Sequence, residues 1–173
     1  MKKEILLIVL IIVSTAFCGL STSIDGKGLY HYPDMKTPVP AEAKQAELFK
    51  VSEAVFYTIE MPDETKTTLL LAGVDTECVP TAKFCLKEAA NHFIQNFLNS
   101  INSETVYYIK DGETEEALIW VKKGGNDYLI NLLLIANEFA IVKADLGLLE
   151  PHYNEYLKIK EEKTPVMEKQ LGN

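Results

Sequence analysis

Two runs of β-branched and aromatic residues flank the turn sequence Pro62-Asp63-Glu64, and this pairing restricts the fold more than any other feature of the chain. Val51 to Met61 holds Val55, Phe56, Tyr57, Thr58 and Ile59, and Thr67 to Val74 follows the turn. Branched and aromatic side chains suit a pleated, half-buried surface, so the two runs read as strands of a hairpin turning at residues 62–65. The first run is long enough to bend into two strands. Downstream, Thr81 to Leu98 carries apolar residues at Ala82, Cys85, Leu86, Ala89, Phe93, Ile94, Phe97 and Leu98. Steps of three and four mark an amphipathic helix.

Thr105 to Ile109 and Ala117 to Val121 read as two further strands around a turn at Asp111-Gly112. After the turn Lys123-Gly124-Gly125-Asn126, Asp127 is placed to cap a short apolar helix, Tyr128 to Ala136. Phe139 to Lys143 reads as a short strand. A last helix starts near Pro151, where a missing N–H costs nothing, and Pro165 is expected to stop it. This order predicts an α+β chain: a five-stranded OB-type Greek-key barrel with about three packed helices.

Ahead of that pattern, Lys2-Lys3 precedes an unbroken apolar run from Ile5 to Val13. A basic start followed by a short apolar stretch is the layout of a secretory signal. A spanning helix needs about 20 apolar residues, which makes a retained anchor the second reading of residues 1–20. The expected destination is the secretory pathway or the far side of a membrane. Residues 21–45, with Gly26, Gly28, Pro33, Pro38 and Pro40, read as an irregular lead-in.

All 17 basic residues are lysines, set against 25 acids. Removing residues 1–20 takes away Lys2, Lys3 and Glu4, leaving 15 lysines, 24 acids and a net charge near −9. Nucleic-acid binders draw most of their affinity from phosphate neutralisation on a basic face. The opposite balance here disfavours nucleic acid as a partner and leaves an unidentified protein or small ligand. With Cys18 inside or beside the export segment, Cys78 and Cys85 form the candidate disulfide of an exported domain. Seven residues of continuous helix would hold their Cα atoms about 10 Å apart, whereas a bridge needs about 7 Å or less. The bridge therefore requires a loop at residues 79–81, which Pro80 favours.

The stretch Leu69-Leu70-Leu71-Ala72-Gly73-Val74-Asp75-Thr76 resembles the third strand of the staphylococcal (thermo)nuclease family, commonly Arg-Leu-Ala-Gly-Ile-Asp-Ala-Pro-Glu. The likeness resumes at Lys87-Glu88-Ala89, at Ala117 to Val121, at Asp127 to Leu134 with its Asn131, at Phe139 to Val142 and at Tyr153 to Leu157. Collinear order carries it over roughly residues 46–163, leaving 164–173 as a tail. The resemblance implies an OB barrel and a phosphodiester-cleaving site built from calcium, carboxylates and two arginines.

By that resemblance the first arginine position falls on Leu70, the second near Glu115, and the water-activating glutamate on Cys78 with Glu77 one place earlier. The first-strand metal ligand falls at Ala54, beside Glu53, and the nucleotide-facing tyrosines fall on Ala144 and Leu146. Asp75 and Thr76 alone stand in place. A calcium site could still draw on Asp75, Thr76, Glu77 and Glu53; otherwise Asp75 merely pins its turn. Lysine supplies charge but not the bidentate fork of arginine. The expectation is therefore a thermonuclease-like scaffold without the nuclease, used as a binding or structural module. Its alternative is a divergent calcium-dependent nuclease. Cys78, Cys85 and His92 are spaced too widely for a zinc motif, and a Cys78–His92 nucleophile pair lacks an orienting acid.

Overall fold

The computed structural model describes residues 37–76, 86–101 and 104–171. The expected hairpin is present, but the first run divides. β1 (Lys44–Glu53) and β2 (Phe56–Glu60) meet at a tight turn through Ala54 and Val55, and β3 (Lys66–Leu71) returns across Pro62–Thr65. Asp63 organises that second turn, accepting hydrogen bonds from the Thr65 N–H and hydroxyl. β1 also starts inside the stretch read as lead-in, at Lys44. Its pairing with β2 slips at Phe49 and Ser52. Extra residues of this kind bend a strand, which lets β1 curve from β2 toward β5.

The remaining elements are β4 (Val74–Asp75), α1 (Leu86–Asn99), β5 (Thr105–Lys110), β6 (Glu116–Lys123), β7 (Asn126–Leu129), α2 (Ile130–Ala136), β8 (Ile141–Val142) and α3 (Glu150–Leu171). The main sheet runs β3-β2-β1-β5-β6-β7, and a parallel pairing of β3 with β6 closes five of these strands into a barrel. β7 flanks the barrel, and β4 pairs with β8 in a separate ribbon. This is the OB-like α+β architecture anticipated from the element order.

Alternation places Tyr57 and Ile59 of β2, Leu69 and Leu71 of β3, and Val106 and Tyr108 of β5 in the core. β6 departs from it: Ala117 through Val121 are all buried. Both faces of that strand are covered, so it reads as a continuous apolar run. Trp120 packs edge-on against His152 of α3, ring centroids 5.7 Å apart. α1 buries Phe93, Ile94 and Phe97, as its spacing predicted, together with Ala90 where Ala89 was expected; Ala89 and Leu98 are half-buried, Phe93 stacks on Phe139 and Phe97 lies edge-on to Tyr128. The Tyr57 hydroxyl is fully buried, and burial pushes its pKa far above the ordinary 10.0.

Two helix-end expectations are corrected. Asp127 does not cap α2; it lies in β7, bonded to the Val39 N–H at 3.0 Å and paired with Lys122 at 3.3 Å, and Leu129 occupies the cap. β7 claims Asp127 because the Gly124-Gly125 turn, with both φ positive, continues β6 directly into a hairpin. Pro165 does not end α3, which runs to Leu171. A proline removes one helical bond, and the following Met167-Glu168-Lys169-Gln170-Leu171 are all good helix formers.

Among the described residues no helix is long and apolar enough to cross a membrane. The expected export segment, residues 1–20, lies outside them.

Burial against Trp120 lowers the His152 pKa from the ordinary 6.5, a shift that Glu155 partly opposes. Above pH 6.5 the imidazole is neutral in both folded and unfolded chains, and α3 docking has its full strength. Below that pH the unfolded chain takes the proton first, so stability falls until the folded pKa is passed. The difference in unfolding free energy between wild type and His152→Gln should therefore shift against the wild type as pH drops below 6.5. A pH-independent difference would contradict the burial.

Candidate functional site

Four residues that the sequence singled out, Glu53, Leu70, Asp75 and Thr76, line an open cleft of about 320 Å³. Glu53 enters from the end of β1, Val55 and Phe56 from the turn into β2, and Leu70 from β3. Val74, Asp75 and Thr76 form a second wall, Lys87 reaches in from α1, and Lys143 from just after β8.

Gly73 makes the second wall. β3 runs along the barrel seam, where the Leu70 N–H bonds the Glu115 carbonyl at 2.8 Å and the Ala72 N–H bonds the Ala117 carbonyl at 2.9 Å. At Gly73 (φ +70) the chain leaves the barrel and pairs with β8, placing Val74 opposite Val142 and Asp75 opposite Ile141. A Cβ on Gly73 would stand 2.9 Å from the Leu146 carbonyl oxygen and from Leu149. Only glycine satisfies both the left-handed φ and that approach.

α1 is held to the opposite wall by Asn91, whose side-chain oxygen accepts from the Ala54 N–H. The same docking brings the Lys87 ammonium to 2.8 Å from Glu53 Oε1. On the far side Lys143 Nζ lies 3.0 Å from Glu116 Oε1, while its backbone N–H bonds the Gly73 carbonyl at 3.0 Å. Both pairs are partly exposed, so each contributes at most about 1 kcal/mol to stability. Their effect is on the charge of the cleft. Two carboxylates and two ammonium groups line it, over an apolar floor of Val55, Phe56, Leu70 and Val74.

Glu53, Leu70, Asp75 and Thr76 are thus brought together, and Thr76 is buried. Leu70 puts an aliphatic side chain where the resemblance called for a guanidinium. Glu115 contributes its backbone carbonyl to the seam and is exposed. His92 is exposed on α1. Glu77, Cys78 and Cys85, and with them the disulfide, lie outside the described residues. The sequence reading missed Lys87 and Lys143 as cleft residues. Lys87 stood within the quoted Lys-Glu-Ala stretch, but nothing local marks its partner.

The calcium that the resemblance implies does not fit the described residues. Among them no three His, Cys, Asp or Glu side chains are grouped to hold a metal, and Glu53 is engaged by an ammonium. Compared with protein-family models the sequence matches none, and it matches none of the curated proteins.

Replacing Gly73 by alanine should destabilise the fold by about 3 kcal/mol, the sum of a left-handed non-glycine residue and overpacking against Leu149. Urea unfolding midpoints measure this. A loss below about 1 kcal/mol would mean that the turn relaxes and does not fix the wall.

Proposed function

We propose that this chain is an exported, thermonuclease-like OB domain that binds a partner at the cleft and does not cleave phosphodiesters. The observation carrying the proposal is the neutralised cleft itself. Its two lysines are held in ion pairs with Glu53 and Glu116, and Leu70, the residue that the resemblance aligns with an arginine, puts an aliphatic side chain in the lining.

Phosphodiester hydrolysis needs preorganised positive charge aimed at the oxygens where negative charge develops. Loss of one such donor commonly costs about 10²–10³ in rate. Here no arginine exists anywhere in the chain, and the two ammonium groups of the cleft already face carboxylates. The overall charge of −8 repels a polyanion approaching from a distance. An open concavity with an apolar floor and a few polar groups suits a protein side chain or a small ligand better. The basic-then-apolar N-terminal sequence supports export.

The test is direct. Purified protein lacking residues 1–20 is incubated with single- and double-stranded DNA and RNA, in calcium and in chelator. No cleavage above a no-protein control is expected in any combination. Calcium-dependent cleavage that disappears in Asp75→Ala would replace the binding module with a divergent nuclease.

A further inference from the structure

Glu53, Asp75 and the buried Thr76 line one concave surface. Carboxylate and hydroxyl oxygens are the ligand types a hard divalent cation takes. A cation already stands against Glu53. Lys87 lines the same cleft, with Nζ 2.8 Å from Glu53 Oε1.

We propose that Lys87 is the resident cation of the cleft: its ammonium stands beside Glu53 where a divalent metal would bind that carboxylate, so that the cleft keeps its form without calcium and excludes it.

Three observations carry this. The ammonium is delivered by the backbone, not only drawn in by attraction, because Asn91 on the same helix accepts from the Ala54 N–H directly after Glu53. Geometry then sets the conflict. A calcium ion bound to the Glu53 carboxylate at the usual distance of about 2.4 Å would lie within about 5 Å of that ammonium, well inside a Debye length. Finally, Lys143 brings a second ammonium to the cleft lining, 3.0 Å from Glu116, so an arriving divalent ion meets two positive charges there. A divalent ion would have to expel a tethered lysine to gain Glu53 as a ligand.

The inference rests on the cleft being the binding site, but its test reads calcium rather than cleavage, so the two readings fail separately. Cleavage in chelator would end the binding-module reading and leave this one standing.

Thermal unfolding is followed in chelator and in about 10 mM calcium, above the 10⁻⁴–10⁻³ M range of weak extracellular sites. The quantity read is the calcium-induced shift in Tm that Asp75→Asn abolishes. Wild type should show none. Lys87→Gln removes the ammonium and keeps much of the stem, and it should gain a shift of about 3 °C, lost again in Lys87→Gln/Asp75→Asn. An Asp75-dependent shift in wild type would overturn the proposal, because calcium would then coexist with Lys87. Absence of any gain in Lys87→Gln would also overturn it, because the ammonium would not be what excludes the metal.

Discussion

The side-chain amide of Asn131 is the contact on which barrel and cleft both depend. It is fully buried at the start of α2. Its nitrogen donates to the carbonyls of Ala72 at 2.9 Å and Ala117 at 3.1 Å, and its oxygen accepts from the Ile119 N–H at 3.2 Å. Ala72 ends the β3 run and the other two residues belong to β6, so one amide spans the parallel seam that closes the barrel. Parallel pairing there covers only Leu70 with Glu116 and Leu71 with Ala117. A seam that short gains from a fixed third party. Buried polar groups left unpaired cost about 1–3 kcal/mol each, which makes the arrangement all-or-none. The same point governs the cleft, because the residue after Ala72 is Gly73, where the chain turns out to set Val74, Asp75 and Thr76.

Electrostatics then decides what the cleft can do. Catalysis on a phosphodiester would require unpaired positive charge or a metal, whereas here each ammonium has a carboxylate within 3.0 Å. The exposed Phe56 and Ile141 stand beside this balanced pocket, Phe56 in its lining and Ile141 opposite Asp75 in the ribbon. Apolar surface beside paired charge is the ground for the binding module proposed above.

Local chemistry made much of the fold legible. Pro62 to Thr65 announced a turn, and the steps of three and four in α1 named its large buried residues Phe93, Ile94 and Phe97, though not Ala90. Legibility failed where a distant partner decided the outcome. The length of Val51 to Met61 allows a bend, but nothing in it marks the break at Ala54-Val55, since both turn residues are apolar and buried. Asp127 looked like a cap because its hairpin and its bond to Val39 are invisible in sequence. Of the cleft, Glu53, Asp75 and Thr76 were reached only through the family resemblance. Lys87 and Lys143 were not reached, because an ion pair between separate elements leaves no periodic trace. Asn131 was visible as a polar residue opening an apolar helix, but its partners were not.

Native-state hydrogen exchange measures the central claim, that one amide at the seam holds the barrel closed. The N–H groups of Leu70, Ala72 and Ile119 should exchange only through global unfolding in wild type, with the protection of the most stable core amides. In Asn131→Leu those three should open together at lower free energy, while β2 amides such as Ile59 keep their protection relative to global unfolding. If the seam amides of wild type open sub-globally, or if Asn131→Leu leaves their protection unchanged, the seam does not depend on Asn131 and the account fails.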